Sequence, residues 1–392
     1  ISLLDRHPHP PYSRMAIPYY LVGSIEEDGT YLRKETGHFE KLGIERVQHG
    51  IQSVEPGDRH VTLEDGSRLQ YDQLLLATGS RPLVPPIPGV EHENVTSCWN
   101  IEHARRIVQL AAPGAKVVLI GAGFIGCIIL EALALRKVEL AVVEMGDRMV
   151  PRMMNDKAGA MIKAWCEDKG VAVYTGTQVE AIESGSNGAP VTVNLSGGHS
   201  LPADLVITAT GVIANLECLQ ESGVETDQGV LVNEFLQSSD SNVYAAGDCA
   251  QGRDFSTGEH SVHAIQPTAV EHGRVAAFNM AGNRMAFQGS INMNVLDTLG
   301  LISTSFGLWM GVKGGDRAEL NNPERFRYLN LEFNDDVLVG ATCVGLTEHV
   351  GVLRGLIQTR IPLGSWKSKL MSDPTRIMEA YLACRGNAPA VA

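Results

Sequence analysis

One segment restricts the fold of this chain more than any other. Gly121-Ala122-Gly123-Phe124-Ile125-Gly126 follows the apolar run Val117–Ile120 and opens a predicted helix over Cys127–Leu135. Glu144 ends the next apolar run, Leu140–Glu144, 144 − 121 = 23 residues beyond the first glycine. Strand, glycine turn, helix and acid-tipped strand together predict a dinucleotide-binding unit. The glycines allow a tight turn and let backbone approach a pyrophosphate, which rests on the helix N-terminus. A carboxylate at the second strand end accepts hydrogen bonds from ribose hydroxyls and repels a 2′-phosphate, so NAD is expected over NADP. Arg148 and Arg152 argue the other way, since either could neutralise such a phosphate. The uncharged window Val117–Leu130 is shorter than the ~20 residues of a membrane span and reads as a buried strand entering a helix.

The alternation continues as helix and strand through Val171–Tyr174, and Val191–Leu195, Leu205–Ala209 and Val243–Ala246 read as further strands. This is the pattern of a doubly wound α/β chain. Ile1–Asp5 reads as a parallel strand ending in an acid, Ser53–Leu69 as a hairpin turning at Asp65-Gly66, and prolines 82, 85, 86 and 88 as a linker. A helix is expected over Thr268–Met280. From Ile291 the pattern changes: Phe326–Phe333 and Val337–Val344 alternate about Asn334-Asp335-Asp336, and a closing helix is capped by Asp373 with Pro374 at its first position. The expected division is 1–97, 98–230, 231–287 and 288–392. With 32 basic against 45 acidic residues, the net charge of −13 disfavours nucleic acid and anionic membrane as partners. Seven widely spaced cysteines form no CxxC or Cys/His cluster, which excludes a disulfide framework and a metal site and fits a reducing cytoplasm.

Two more segments exceed what a lone NAD domain needs: Tyr71-Asp72-Gln73-Leu74-Leu75-Leu76-Ala77-Thr78-Gly79-Ser80-Arg81-Pro82 and Asn242-Val243-Tyr244-Ala245-Ala246-Gly247-Asp248-Cys249-Ala250. With the glycine loop and a second Ala209-Thr210-Gly211, they resemble the two-dinucleotide-binding flavoprotein reductases. Within these the NADH-dependent ferredoxin/rubredoxin reductase type is most similar, together with the flavin portion of nitrite reductases. The resemblance covers nearly the whole chain. It implies an α/β architecture of two Rossmann-like domains, the NAD domain inserted into the FAD domain, and a small α+β domain at the C-terminal end. It assigns Asp5 to the adenosine ribose of FAD, Arg14 to the flavin phosphates, Ile51 to adenine, and Thr78, Gly79 and Arg81 to the loop beside FAD. Gly247 and Asp248 fall at the ribitol chain, and Gln266 and Thr268 near the flavin ring. Gly211 joins Gly121, Gly123, Phe124, Ile125, Gly126 and Glu144 as an NAD residue.

The chain also departs from that family. Its FAD-phosphate glycine loop is expected before Ile1, within about thirty further residues of an N-terminal stretch, the size of one such unit. The Lys and Glu that pair near the flavin in many ferredoxin reductases fall at Tyr19 and Ile128. Both charges are lost together, which avoids a lone buried charge. Residues 1–97 contain no cysteine, so the thiol chemistry of the disulfide-reductase branch is excluded for them.

Residues 290–385 resemble the small terminal domain of rubredoxin reductases, which lies over the flavin side and often helps dimerise; a homodimer is left open. Arg354, Arg360, Lys367 and Lys369 lie between His349 and Ser372 with no acid. They read first as a solvated face and second as a docking patch for an acidic carrier. Trp309 and Trp366 read as core. The function implied is an FAD-dependent oxidoreductase that takes a hydride from NADH and passes electrons to a small ferredoxin- or rubredoxin-type carrier or a partner redox subunit. The alternatives are an NADH-responsive redox-sensing flavoprotein and a soluble NADH:quinone-type reductase. No side chain is assigned as acid, base or nucleophile, because the flavin supplies the chemistry.

Overall fold

A computed structural model describes residues 1–185 and 188–387. The chain divides into two units, each assembled from separate stretches. The first comprises Ile1–Ala16, Glu26–Arg81 and Val212–Ser290; the second comprises Ile17–Ile25, Pro82–Gly211 and the chain from Ile291 on.

Among the described residues of the first unit, parallel strands pair in three places, one of them Val230–Leu231 beside Ala250–Arg253. Ser2–Leu4 runs beside Glu45–Val47, and Leu74–Leu76 beside Val243–Ala245. The first strand pairs as expected, but Leu3 stays 39% exposed, so its apolar character is only partly used. The segment read as one hairpin is three antiparallel strands, Ile51–Glu55, His60–Leu63 and Arg68–Gln70. Arg59 at φ +50 makes the first turn, and Asp65-Gly66 makes the second, with the Asp65 carboxylate accepting from Ser67 N. Val54, Val61, Leu63, Leu76, Val243 and Val275 close one apolar core.

In the second unit five parallel strands stand in the order Ala172–Tyr174, Glu139–Val143, Lys116–Ile120, Leu205–Thr208, Val95–Ser97. Chain order reverses across Lys116–Ile120, which creates a crevice between its carboxyl end and that of Leu205–Thr208. Residues 121–126 enter that crevice. The helix begins at Phe124, three residues earlier than the sequence pattern indicates.

The same unit carries a five-stranded antiparallel sheet ordered Met293–Thr298, Leu301–Gly307, Val337–Val344, Arg327–Asn334, Asp316–Asn322. Here alternation fails as a guide. Every residue from Tyr328 to Phe333 is buried, and so are Gly340 to Val344. Helix Val350–Thr359 and helix Asp156–Asp168 both pack on this sheet, so its central strands meet protein on each face. One buried face is polar: Ser305 stands opposite Asn294 and Thr342, and Thr342 opposite Asn330. Asp373 caps a short 3-10 turn at Pro374–Arg376 before helix Ile377–Cys384 begins.

Asn155 joins the parallel sheet's layer to this second sheet. Its Oδ1 accepts from Ala158 N as the cap of helix Asp156–Asp168, while its Nδ2 donates to Tyr328 Oη at 2.7 Å. Tyr328 is fully buried and donates to Glu319 Oε1 at 2.7 Å. Replacing Tyr328 by Phe strips Asn155 of its acceptor and Glu319 of a donor without changing the packed volume. Urea unfolding should register a loss of about 1–2 kcal/mol; an unchanged midpoint would show that water replaces the hydroxyl at no cost.

Candidate functional site

In the second unit the glycine loop is shaped by backbone contact. Gly121 has φ +102, and a Cβ there would stand 2.5 Å from the Ala209 carbonyl oxygen. A Cβ on Gly126 would stand 2.1 Å from the Gly121 oxygen. A Cβ on Gly123 would meet nothing within 4 Å. The outer two glycines are therefore needed by the fold, and the middle one faces open space, as a loop made for close approach of a ligand requires. Phe124 and Ile125 form the first turn of helix Phe124–Leu135, whose N-terminal amides point into the crevice. Gly211, at φ +126, follows Ala209 on the other wall and accepts from Leu83 N at 2.9 Å.

Glu144 reaches this loop. Its Oε2 accepts from Ala122 N and its Oε1 from Gly146 N, each at 2.7 Å. Ala122 is held from its other side as well, because its carbonyl accepts from Val150 N at 2.9 Å. Val150 sits at φ +52 and is fully buried, a strained setting for a β-branched residue that this loop imposes. The Glu144 carboxylate keeps lone pairs for ribose hydroxyls. Arg148 is committed locally: Nε donates to Met154 O at 2.9 Å, and Nη1 pairs with Asp147 at 2.7 Å and Asp156 at 3.0 Å. Arg152 is exposed.

The first unit gathers residues from both ends of its sequence around Asp248. This carboxylate, 7% exposed, lies on the turn Gly247–Cys249 just past strand Val243–Ala245. Arg14 Nη2 lies 3.1 Å from its Oδ2, and Ser80 Oγ donates to the same oxygen at 2.7 Å. Gly247 has φ +77, and a Cβ there would lie 3.4 Å from that of Ala269, so the first turn of helix Gln266–Met280 rests on the loop. Gln266 is exposed at the start of that helix, and Thr268 is buried.

Thr78 and Asn215 clasp each other, Thr78 Oγ1 donating to Asn215 O and Asn215 Nδ2 to Thr78 O, each at 2.8 Å. Gly79, at φ +68, has open space where a Cβ would stand. Arg81 donates to Asn215 Oδ1 at 2.9 Å and pairs with Glu217. Asp5 follows its strand and accepts from His7 N at 3.0 Å. Ile51 stands in the antiparallel sheet opposite Leu63 and packs on the core. Asp248, Arg14 and the Thr78–Arg81 segment thus share one unit with Gly247, Gln266 and Thr268.

Ser80 and Asn215 complete this arrangement and were not singled out by the sequence reading. Ser80 lies inside the motif already quoted, and a buried acid two segments away is a reason to look for its donors. Asn215 carries no comparable signal. Each unit by itself fits a ligand with hydroxyls and phosphates: the first offers the Asp248 carboxylate with Arg14 beside it and the open Gly79 position, the second the Glu144 carboxylate and the open Gly123 position.

The described cysteines are free thiols, and burial pushes Cys98 and Cys166 up to about 12 and Cys218 up to about 11. Such thiols are inert as nucleophiles. Lys367 of the basic stretch pairs with Asp316 at 2.6 Å, and Lys369 lies 3.8 Å from the Trp366 ring centroid. Those two cations therefore have partners within the chain, which fits the solvated, self-contained face. Trp309 is buried, as expected of a core residue.

The family model described as pyridine nucleotide-disulphide oxidoreductase matches residues 1–273. The chain is 31% identical over 380 residues to the NADH-dependent phenylglyoxylate dehydrogenase subunit epsilon of Aromatoleum evansii, covering 96% of this chain and 90% of that protein. It is 25% identical over 365 residues to the Rubredoxin-NAD(+) reductase of Pseudomonas putida, covering 91% and 92%. Among solved structures, a NAD-dependent persulfide reductase from A. fulgidus is similar with a TM-score of 0.87 and 27% identity, over 98% of this chain and 78% of that one. Putidaredoxin reductase, in its covalent complex with putidaredoxin, shares the fold with a TM-score of 0.89 and 23% identity, over 98% and 92%.

The unequal surroundings of the glycines make a direct test. Gly126→Ala must force the Gly121 carbonyl aside and should lower the melting temperature by several degrees, as a loss of about 1–3 kcal/mol does. Gly123→Ala should leave it unchanged. Equal melting of both variants would show that the loop yields without cost.

Proposed function

This chain belongs to the pyridine nucleotide-disulphide oxidoreductase family, and we propose that it works as an NADH-dependent FAD oxidoreductase delivering electrons to a small electron-carrier protein or a partner redox subunit. It is an oxidoreductase that uses FAD and NADH, as its family does. FAD, when bound, would supply the chemistry of hydride acceptance from NADH and electron transfer onward. The observation that carries the reading is the buried Asp248 carboxylate, held by Arg14 and Ser80, in a chain that also bears the Glu144-locked glycine loop.

In this reading Asp248 binds the ribitol chain of FAD, with Ser80 orienting its Oδ2, and Arg14 serves both that carboxylate and the FAD phosphates. Asp5, Ile51, Thr78, Gly79, Arg81 and Gly247 line the rest of the FAD site, with Gln266 and Thr268 toward the ring. Gly121, Gly123, Phe124, Ile125, Gly126 and Gly211 cradle the NADH pyrophosphate, and Glu144 takes the adenosine ribose. Because its two oxygens are each fixed by a backbone N–H, Glu144 cannot swing away from a 2′-phosphate.

The acceptor is proposed from the relatives, whose names include a rubredoxin reductase and a subunit of a phenylglyoxylate dehydrogenase. The lack of cysteine in residues 1–97 and the inert thiols elsewhere support an acceptor that needs no protein thiol. Among the described residues no helix is long and apolar enough to cross a membrane. A reducing cytoplasm as the place of action is part of the same proposal, supported by the unpaired cysteines.

Steady-state oxidation of NADH against a panel of acceptors tests the reading. Ferricyanide and a carrier protein should both be reduced, and disulfides should not; turnover with a disulfide alone would overturn it. NADH should exceed NADPH in kcat/KM by at least about tenfold, the effect of ~1.4 kcal/mol of charge repulsion at Glu144. Equal use of both would move Arg152 into the role of phosphate ligand. Asp248→Ala should emerge from gel filtration without FAD while its circular dichroism stays native. Stoichiometric FAD in that variant would remove Asp248 from the site.

A further inference from the structure

The turn that carries Asp248 rests on a side chain that the cofactor reading leaves without a role. His272 lies on helix Gln266–Met280 and is 2% exposed. Its Nδ1 accepts the backbone N–H of Gly247 at 3.4 Å. The ring packs edge-on against Phe287, with centroids 4.6 Å apart and planes at 87°. On another side it lies beside Gly252, where a Cβ would make ordinary contact with the ring, 3.7 Å from Nε2. Nε2 itself is buried and has no hydrogen-bond partner among the described residues.

An imidazole that accepts at Nδ1 is neutral and carries its proton on Nε2. A second proton has to go onto Nδ1, where it would face the Gly247 N–H as donor against donor. The contact is therefore lost on protonation, whatever the rest of the loop does. Gly247 holds φ +77, a left-handed backbone that glycine adopts without strain, so the His272 contact selects one conformation among several open to this residue.

We infer that His272 is a positioning residue of the flavin site: in its neutral form it fixes the backbone from which Asp248 projects, and its protonation releases that turn and with it the FAD. The inference rests on the assignment of Asp248 to FAD.

The charged groups facing the ring act in one direction. His263, whose Nε2 lies 2.9 Å from Asp254 Oδ2, adds a second imidazole whose charge would oppose one on His272. Asp248, beside the bonded glycine, has its charge already met by Arg14 and Ser80. Arg253, next to Gly252, is exposed. Burial first, and His263 second, hold the His272 ring down at about 4, against an ordinary 6.5. Since the folded value is the lower one, the contribution of His272 is whole above pH ~6.5 and is lost as the pH falls through the window toward ~4.

The test follows release of FAD from the loaded protein by the fluorescence of free flavin between pH ~7.5 and ~4.5, with circular dichroism on the same samples. The wild type should release FAD severalfold more readily as the pH drops below ~6, before its secondary structure is lost. His272→Asn keeps an acceptor oxygen near the place of Nδ1 and takes no proton, and it should hold FAD across that range. A flat wild-type curve, or an Asn variant that follows the wild-type curve, overturns the inference. Asp248→Ala at neutral pH separates the two readings. If it keeps FAD, the flavin assignment fails; if it loses FAD while wild type and Asn variant share one curve, only the role of His272 fails.

Discussion

A buried carboxylate must have its charge answered inside the protein, and Asp248 gets that answer from residues 234 and 168 positions away, Arg14 and Ser80. No local segment of this chain could build that site. The first unit has to bring the stretches that start at Ile1, Glu26 and Val212 into one core before the carboxylate is covered, and the paired strands Leu74–Leu76 and Val243–Ala245 do so directly. Each strand runs into a loop at its carboxyl end, Thr78–Arg81 from one and Gly247–Cys249 from the other. The site is thus a consequence of strand pairing, and the flanking helix Gln266–Met280 adds support from below through Ala269 and His272.

The second unit solves a similar problem with shorter reach. Glu144 lies 22 residues from Ala122 and locks the glycine loop through backbone amides alone. That lock is made of protein groups alone, so the carboxylate has a fixed position of its own. Strain at Val150 is the local cost, and it buries the one contact that fixes Ala122 from its carbonyl side. In both units a carboxylate at a strand end is oriented by protein donors.

Much of this was legible in the sequence because the motifs carry their own physics. The glycines at 121 and 126 are where backbone approaches backbone, and Glu144 stands one strand further on, as the spacing predicts. The antiparallel strands Arg327–Asn334 and Val337–Val344 were located, but the alternation expected of them is absent from their burial, because a strand covered on both faces no longer needs a polar side. Ser53–Leu69 hid an extra strand, since Arg59 takes a left-handed turn that no glycine announces. Ser80, Asn215 and His272 escaped because a single serine, asparagine or histidine has no pattern of its own; only the fold gives each its partner.

The account turns on a flavin that is reduced by NADH without help from protein thiols, in a chain whose first 97 residues have no cysteine. An anaerobic titration of the FAD-loaded protein with NADH, followed by the loss of flavin absorbance, tests this most directly. Full bleaching after a single equivalent of NADH per flavin, with no further equivalent consumed, is the predicted result. Consumption of a second equivalent would reveal a redox disulfide in series with the flavin, and absence of bleaching would remove the chain from the NADH-dependent flavoproteins; either would contradict the account.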